Sequence, residues 1–125
     1  MSTDAKSPVV WTEIPAADMD RAKAFYARLL GAPLTDDNTG PNPMAMLPGA
    51  GTDVVAGHIY PGTPASKGAG PTLHLRFDGD LAEAMTRVRE GGGEVVSDVI
   101  TIPPGSFFYA VDTEGNSVGL FKAAA

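Results

Sequence analysis

Two stretches of this sequence, EIPAADMDRAKAFYARLLG at 13–31 and LHLRFDGDLAEAMTRVREGGG at 73–93, decide the fold. Each stretch leads from a strand-like segment into an amphipathic helix, on which apolar residues recur at helical spacing. Asp18 and Asp80 are suitable N-caps for these two helices, and glycine supplies a stop at the end of each. The same strand–helix unit therefore occurs twice in one chain.

After each helix the chain returns through short apolar segments, so each half is predicted to be a βαβββ module. The segments after the first helix lie around Leu34, at 44–47 and at 54–60, and those after the second lie at 94–102, 107–111 and 117–121. Between the halves, residues 61–70 are rich in glycine and proline, as expected of a linker. We therefore expect one domain over residues 8–122, made of modules 8–60 and 71–122.

A unit of roughly 55 residues cannot bury both its helix face and its sheet, so the two modules are expected to join. The predicted fold class is α+β. Its two half-barrels form a cupped, eight-stranded mixed sheet, with both helices on the outer face. Whether the two modules of one chain pair with each other or with those of a second copy is left open.

Strand alternation indicates which side chains line the concave face of this sheet. In the second module Leu73 and Leu75 are predicted to face the helix, so Thr72, His74 and Arg76 face the concavity. In the first module Trp11 and Glu13 face the concavity by the same argument. By chain order Trp11 corresponds to Thr72, and Glu13 corresponds to His74.

Composition excludes several classes of partner. Fifteen acidic and nine basic residues give a net charge of −6, and the basic residues are scattered along the chain. We therefore expect no binding to nucleic acid or to anionic membranes, since both require a positive surface. The chain has no cysteine and no apolar run of signal-peptide or membrane-spanning length, which favours a cytoplasmic location.

The quoted stretches, together with the closing segment FFYAVDTEGNSVGLF at 107–121, resemble the glyoxalase/bleomycin-resistance/dioxygenase family, also called the vicinal oxygen chelate superfamily. The resemblance covers residues 8–122, although Thr113 stands where the family usually has proline. It implies the paired βαβββ fold and a cavity, often in a homodimer. Family members include metal-dependent lyases, dioxygenases and transferases as well as metal-free drug-binding proteins, so the fold leaves the function open.

Metal-using members of this family take ligands from the first and last strand of each module. Carried over by position, those sites fall on Trp11 and Gly57 in the first module and on Thr72 and Gly119 in the second. None of the four has a good ligand side chain for a divalent ion. We therefore predict no metal site and no cofactor.

One displaced metal site remains an alternative, because His58, His74 and Glu13 together would make a two-histidine, one-carboxylate set. On the strand assignment His74 and Glu13 face the cavity, whereas His58, next to Gly57, is expected to face the other way.

Glu13 and His74 occupy equivalent positions, so they are expected to lie close together in the cavity floor. They could form a general acid–base pair, or a buried hydrogen-bonded pair that joins the modules. Candidate ligand-binding residues are Trp11, Thr72, Arg76, Met46 and Phe108. Aromatic and Met side chains on a concave sheet suit a flat or apolar small molecule, although each could instead belong to the core.

Three functional hypotheses follow. The first is a metal-free protein that binds a small organic molecule. The second is a lyase, isomerase or glyoxalase-like enzyme that uses Glu13 and His74, with or without a metal. The third is a non-catalytic homodimer with a closed cavity. The sequence names neither a substrate nor a ligand, and whether the chain is catalytic is left open.

Overall fold

The computed structural model describes residues 8–49 and 56–125. Within these residues the elements follow in the order β1 (Thr12–Ala16), α1 (Met19–Leu30), β2 (Thr35–Asp37), β3 (Met44–Met46), β4 (Gly57–Pro61), β5 (Leu73–Arg76), α2 (Leu81–Glu90), β6 (Glu94–Val95), β7 (Ile100–Ile102), β8 (Gly105–Val111) and β9 (Ser117–Ala123). The predicted α+β fold with two helix-containing modules is confirmed.

The strands form two mixed sheets, one from each module. The first has the order β1-β4-β3-β2, and the second has the order β5-β9-β8-β6, with β7 also paired to β8. In both sheets the first strand runs parallel to the last, as β1 does to β4 and β5 does to β9. Each first strand is therefore an edge strand of its sheet.

The second sheet has one strand more than predicted, because the segment expected as a single strand at 94–102 is divided. Its two parts, β6 and β7, pair with different stretches of β8. Between them the Ser97 hydroxyl accepts the backbone N–H of Tyr109 at 2.9 Å, so a side chain replaces a backbone carbonyl in the ladder. The described residues thus contain nine strands rather than the eight predicted.

Both helices begin at the predicted caps. The Asp18 carboxylate accepts the backbone N–H of Arg21, and the Asp80 carboxylate accepts that of Ala82. Helix α1 ends at Gly31, whose φ of 76° is the left-handed conformation that glycine adopts without steric cost. Neither described helix is long and apolar enough to cross a membrane.

One hydrophobic core lies between the helices and the convex faces of both sheets. Fully buried side chains from α1, α2 and the strands share it, among them Phe25, Leu29, Ile59, Val88, Phe108 and Leu120. Because the core takes one face of each strand, the alternate residues lie on the concave face.

Polar contacts join the two modules within a single chain. The Arg21 guanidinium donates to both carboxylate oxygens of Glu114, at 2.7 and 2.9 Å, so α1 is bound to the turn before β9. The Arg87 side chain donates to the backbone carbonyl of Leu29 at 3.1 Å, which bridges the two helices. These contacts bind the two modules of one chain to each other.

Candidate functional site

A cleft of about 600 Å³ lies at the seam between the two modules, where the free edges of β1 and β5 face each other. We call it the seam cleft. Its polar lining consists of Thr12, Glu13, Thr72, His74, Asn116 and Ser117, and the remaining lining is largely apolar and includes Trp11. Concave, mostly apolar clefts of this size with a few polar groups are typical small-molecule sites.

Trp11 and Glu13 lie on this cleft as predicted, and the buried side chain of His58 lies behind them. The indole N–H of Trp11 donates to Nδ1 of His58 at 2.9 Å, and Nε2 of His58 lies 3.3 Å from a carboxylate oxygen of Glu13. The prediction that His58 faces away from the concave side is therefore wrong. The error came from the register of β4, because the loop before it left its parity uncertain by one residue.

The strand registers also correct the equivalence between the modules. In the first sheet Glu13 pairs with His58, and in the second sheet His74 pairs with Gly119. His58, rather than Gly57, is thus the counterpart of Gly119. Gly57 lies on the other face of β4, where a Cβ atom would clash with the backbone carbonyl of Thr12.

His74 lies on the concave face as predicted, but its neighbours are aromatic. Its ring makes edge-to-face contacts with Phe107 and Tyr109, with centroids 5.3 and 5.8 Å apart. A Cβ atom on Gly119 would clash with the Nδ1 atom of His74, so the imidazole takes the space above that glycine.

Glu13 and His74 line the same cleft, yet the structure does not join them. No hydrogen bond or ion pair links these two residues, both of which belong to the described part of the chain, and the imidazole beside Glu13 is that of His58. The predicted direct Glu13–His74 pair is therefore wrong, because each residue is held by its own sheet.

The other candidate ligand-binding residues are dispersed. Thr72 lies at the cleft, and its hydroxyl is 2.6 Å from that of Ser117. Arg76 lines an adjacent depression of about 500 Å³ rather than the seam cleft. Met46 pairs with His58 in the register of β3 and β4, so it lies on the concave face, outside the lining of the seam cleft.

The placement of Phe108 in the cavity wall is wrong. Phe108 has no solvent exposure and belongs to the core, whereas its neighbours Phe107 and Tyr109 contact His74 on the concave face. Three consecutive aromatic residues at 107–109 carry no alternation in polarity, so the sequence could not show which of them faces inward.

The family's metal ligands have no adequate replacements here. With the corrected register the four positions carry Trp11, His58, Thr72 and Gly119, so only His58 has a ligand side chain, and its Nδ1 accepts from Trp11. Within residues 8–49 and 56–125 no group of three His, Asp or Glu side chains is arranged to hold a metal ion. These residues do not fit the metal site that the family implies.

The linker supplies one wall of the cleft, which the sequence did not predict. Ala65 and Ala69 line the cleft, and the segment between them is held at two points. The ammonium group of Lys67 donates to Glu94 at 2.7 Å, and the backbone N–H of Gly68 donates to the carbonyl of Gly115 at 2.9 Å. The linker is therefore a fixed part of the site.

The turn that precedes β9 supports the opposite wall. The side-chain amide of Asn116 donates to the carbonyl of Pro15 at 2.9 Å and to the buried Asp112 carboxylate at 3.0 Å. The Tyr26 hydroxyl donates to the same carboxylate at 2.5 Å. Burial, and after it the Asp112 charge, raises the pKa of Tyr26 well above its ordinary value. A hydrogen-bonded network therefore joins the turn to β1 and α1.

The carboxyl group of Glu114 in the same turn has a lowered pKa. The hydrogen bond from Arg21 is the largest cause that lowers its pKa, from 4.5 to about 2, and the backbone N–H of Asp18 and the Thr113 hydroxyl also donate to it. Its side chain is shielded from solvent by these donors. The turn thus carries a fixed negative charge that binds α1.

Comparisons with known proteins agree with this geometry. The sequence profile of the Glyoxalase/Bleomycin resistance protein/Dioxygenase superfamily matches residues 9–120. A glyoxylase-like domain-containing protein of Didymella fabae is 31% identical over 115 residues, which cover 84% of this chain and 85% of that protein.

Solved structures show the same fold. TnmS3, an antibiotic binding protein from Streptomyces sp. CB03234, is 25% identical, with a TM-score of 0.64 over 96% of this chain and 98% of that one. The fosfomycin resistance protein FosX of Listeria monocytogenes has a TM-score of 0.67 over 97% and 94% of the two chains, at 13% identity. From its sequence profile, its relative and its paired modules, this chain belongs to the glyoxalase/bleomycin resistance protein/dioxygenase superfamily.

Proposed function

We propose that this protein binds a small, flat organic molecule in the seam cleft and does so without a metal ion. The observation that carries the proposal is the position of Trp11. Its indole lies on the cleft at a position where metal-using members of the family carry a metal-coordinating residue. It is hydrogen-bonded to His58, which occupies a second such position.

The lining of the cleft suits such a ligand. Val9, Pro71 and Leu73 offer apolar surface, and the indole of Trp11 offers a flat face for stacking. Glu13 adds an exposed carboxylate as a hydrogen-bond acceptor. The volume of this cleft, about 600 Å³, favours the proposal over a protein with a closed cavity.

The relatives add a further argument. TnmS3, which shares a quarter of its aligned residues with this chain, is an antibiotic binding protein. This likeness favours binding of a drug-like organic molecule over turnover of a small metabolite, and it names no particular compound.

A direct test follows the emission of Trp11, the single tryptophan of the chain, while aromatic compounds are added. The starting probes are the cationic dye proflavine and the anionic dye 1-anilinonaphthalene-8-sulfonate, and a set of aromatic antibiotics follows. We expect saturable changes in emission at about 1:1 stoichiometry. In the variant Trp11→Phe, calorimetry should show a loss of affinity of roughly tenfold, as expected for a central aromatic contact.

Metal analysis of the purified protein completes the test. We expect less than a tenth of an equivalent of Ni, Zn or Fe per chain. A chelator should leave the affinity for the probes unchanged. A stoichiometric, tightly bound metal, or the absence of binding across the whole panel, would contradict the proposal.

An enzyme is the second candidate function, and the contact between Glu13 and His58 is the observation that favours it. A carboxylate beside an imidazole is a common acid–base arrangement. Here, however, Nδ1 of His58 accepts from Trp11 and Nε2 faces Glu13, so neither ring nitrogen is available to a substrate without rearrangement. If a reaction is found, Glu13→Gln and His58→Leu should each abolish turnover in a folded protein.

We also propose that the protein is a cytoplasmic homodimer. Exposed apolar side chains on the segment 96–102, which include Ile100 and Ile102, support a contact with a second copy. Sedimentation velocity should give twice the monomer mass, and the double substitution Ile100→Lys and Ile102→Lys should reduce it to the monomer. Cell fractionation tests the location.

A further inference from the structure

We infer that His58 is a positioning residue, which holds the indole of Trp11 in the orientation that forms the wall of the seam cleft. His58 does not line the cleft itself, and it is buried, with 6% of its surface exposed. The inference deepens the proposed function, because an ordered indole affects binding only if the cleft takes a ligand. The ordering itself can be measured without one.

Trp11 needs such support because it lies outside the strand ladder. The register of β1 and β4 begins with Thr12 opposite Gly57, so position 11 precedes the first pair. A half-buried side chain at the end of a strand has more freedom than one inside the sheet. The hydrogen bond to His58 supplies a specific constraint on the indole ring.

The chemistry of this bond fixes the His58 ring as well. An indole N–H can only donate, so Nδ1 of His58 must present its lone pair. The proton of the neutral imidazole is then on Nε2, which faces the Glu13 carboxylate 3.3 Å away. Glu13 therefore favours the tautomer that accepts from Trp11.

Packing restricts the His58 ring from its remaining sides. The Tyr60 ring lies edge-on to it, with centroids 6.1 Å apart, and Met46 is its neighbour in the register of β3. The Trp11 and His58 rings are tilted by 47° with centroids 6.0 Å apart, so they meet through the hydrogen bond rather than by stacking. A buried, oriented imidazole thus anchors a partly exposed indole.

Three substitutions of His58 separate this role from a general structural one. The side-chain oxygen of Asn can take the place of Nδ1, so His58→Asn should retain the acceptor for Trp11. The amide of Gln reaches the place of Nε2, so His58→Gln should retain the Glu13 contact and lose the Trp11 bond. His58→Leu removes both contacts, and Glu90→Gln on the exposed end of α2 is the control.

The readouts are acrylamide quenching and time-resolved anisotropy of Trp11, measured on the full chain without ligand. We expect the quenching constant and the fast depolarisation to rise about twofold in the Gln and Leu variants. The Asn variant and the control should remain close to wild type. Circular dichroism and urea unfolding confirm that each variant is folded.

Equal changes in the Asn, Gln and Leu variants would overturn the inference, because loss of the acceptor would then not be the cause. Wild-type quenching in His58→Gln would also overturn it.

Binding of proflavine gives a second, independent test of the inference. Its affinity, measured by the dye's own emission, should fall by roughly three- to tenfold in the Gln and Leu variants and recover in the Asn variant, as loss of one net hydrogen bond predicts. If wild type binds no probe, the proposed function fails while the quenching pattern still decides the inference. If the probe binds equally to all variants although the indole is released, the positioning role is wrong.

Discussion

The imidazole of His74 lies over Gly119, its parallel neighbour in the second sheet, in the space that a side chain at position 119 would fill. Phe107 and Tyr109 hold the ring there through edge-to-face contacts. The second module thus has an imidazole and a glycine where the first has Glu13 and His58.

Substitution of Gly119 by Ala should destabilise the protein by about 0.5–1.5 kcal/mol, because the added methyl group displaces the exposed His74 ring from its aromatic contacts. In the background His74→Ala the same substitution should be nearly neutral. Urea unfolding of the four proteins gives the coupling energy. If Gly119→Ala lowers the free energy of unfolding equally in both backgrounds, the His74 ring is not what the added methyl group displaces.

The ion pair of Glu114 with Arg21 should make stability depend on acid pH. Because the folded-state pKa of Glu114 is about 2, below the ordinary 4.5, the carboxylate stabilises the folded protein above pH 4.5. This contribution is lost as the pH falls from 4.5 toward 2. At pH 7 we expect Glu114→Gln to cost roughly 1–3 kcal/mol in urea unfolding. If the difference in free energy of unfolding between wild type and Glu114→Gln stays constant down to pH 2, the lowered pKa of Glu114 is wrong.

Tyr26 should show the opposite dependence on pH. Its pKa is raised in the folded state, so the bond to Asp112 stabilises the protein below pH 10 and this stabilisation is lost as the pH rises further. Replacement by Phe should cost about 1–3 kcal/mol at pH 7, since the buried carboxylate loses a donor. The difference in free energy of unfolding between wild type and Tyr26→Phe should become smaller as the pH rises above 10. A difference that grows with pH would refute this account.

The linker wall gives a prediction about the cleft alone. Ala69→Phe places a ring at the cleft and should reduce proflavine affinity by about tenfold, while the free energy of unfolding changes by less than about 0.5 kcal/mol. Ala82→Phe on the exposed face of α2 is the matched control and should leave affinity unchanged. If both variants bind as wild type does, the linker is not part of the site.

The sequence predicted most of the fold because its signals were local. Asp18, Gly31 and Asp80 carry the helix boundaries, and the alternation in LHLRF placed His74 and Arg76 on the concave face. These features depend on one element at a time, and each was confirmed by the same element in the structure.

The errors arose where register depends on contacts between elements. The sequence predicts the wrong face of β4 for His58, because the length of the preceding loop sets the parity of that strand. It predicts the wrong face of β8 for Phe108, because the neighbours of Phe108 are equally aromatic. The Glu114–Arg21 pair joins positions 93 residues apart, and no pattern in the sequence indicates it. Only the assembled structure shows which strands are neighbours.

The two edge strands of the seam cleft occupy equivalent places in the two modules, but their side chains differ. Trp11 in the first module corresponds to Thr72 in the second, Glu13 corresponds to His74, and His58 corresponds to Gly119. A molecule entering such a cleft meets an indole at one end and a hydroxyl at the other, so its two orientations are energetically unequal. The differences between equivalent residues of the two modules therefore determine which way round a ligand binds.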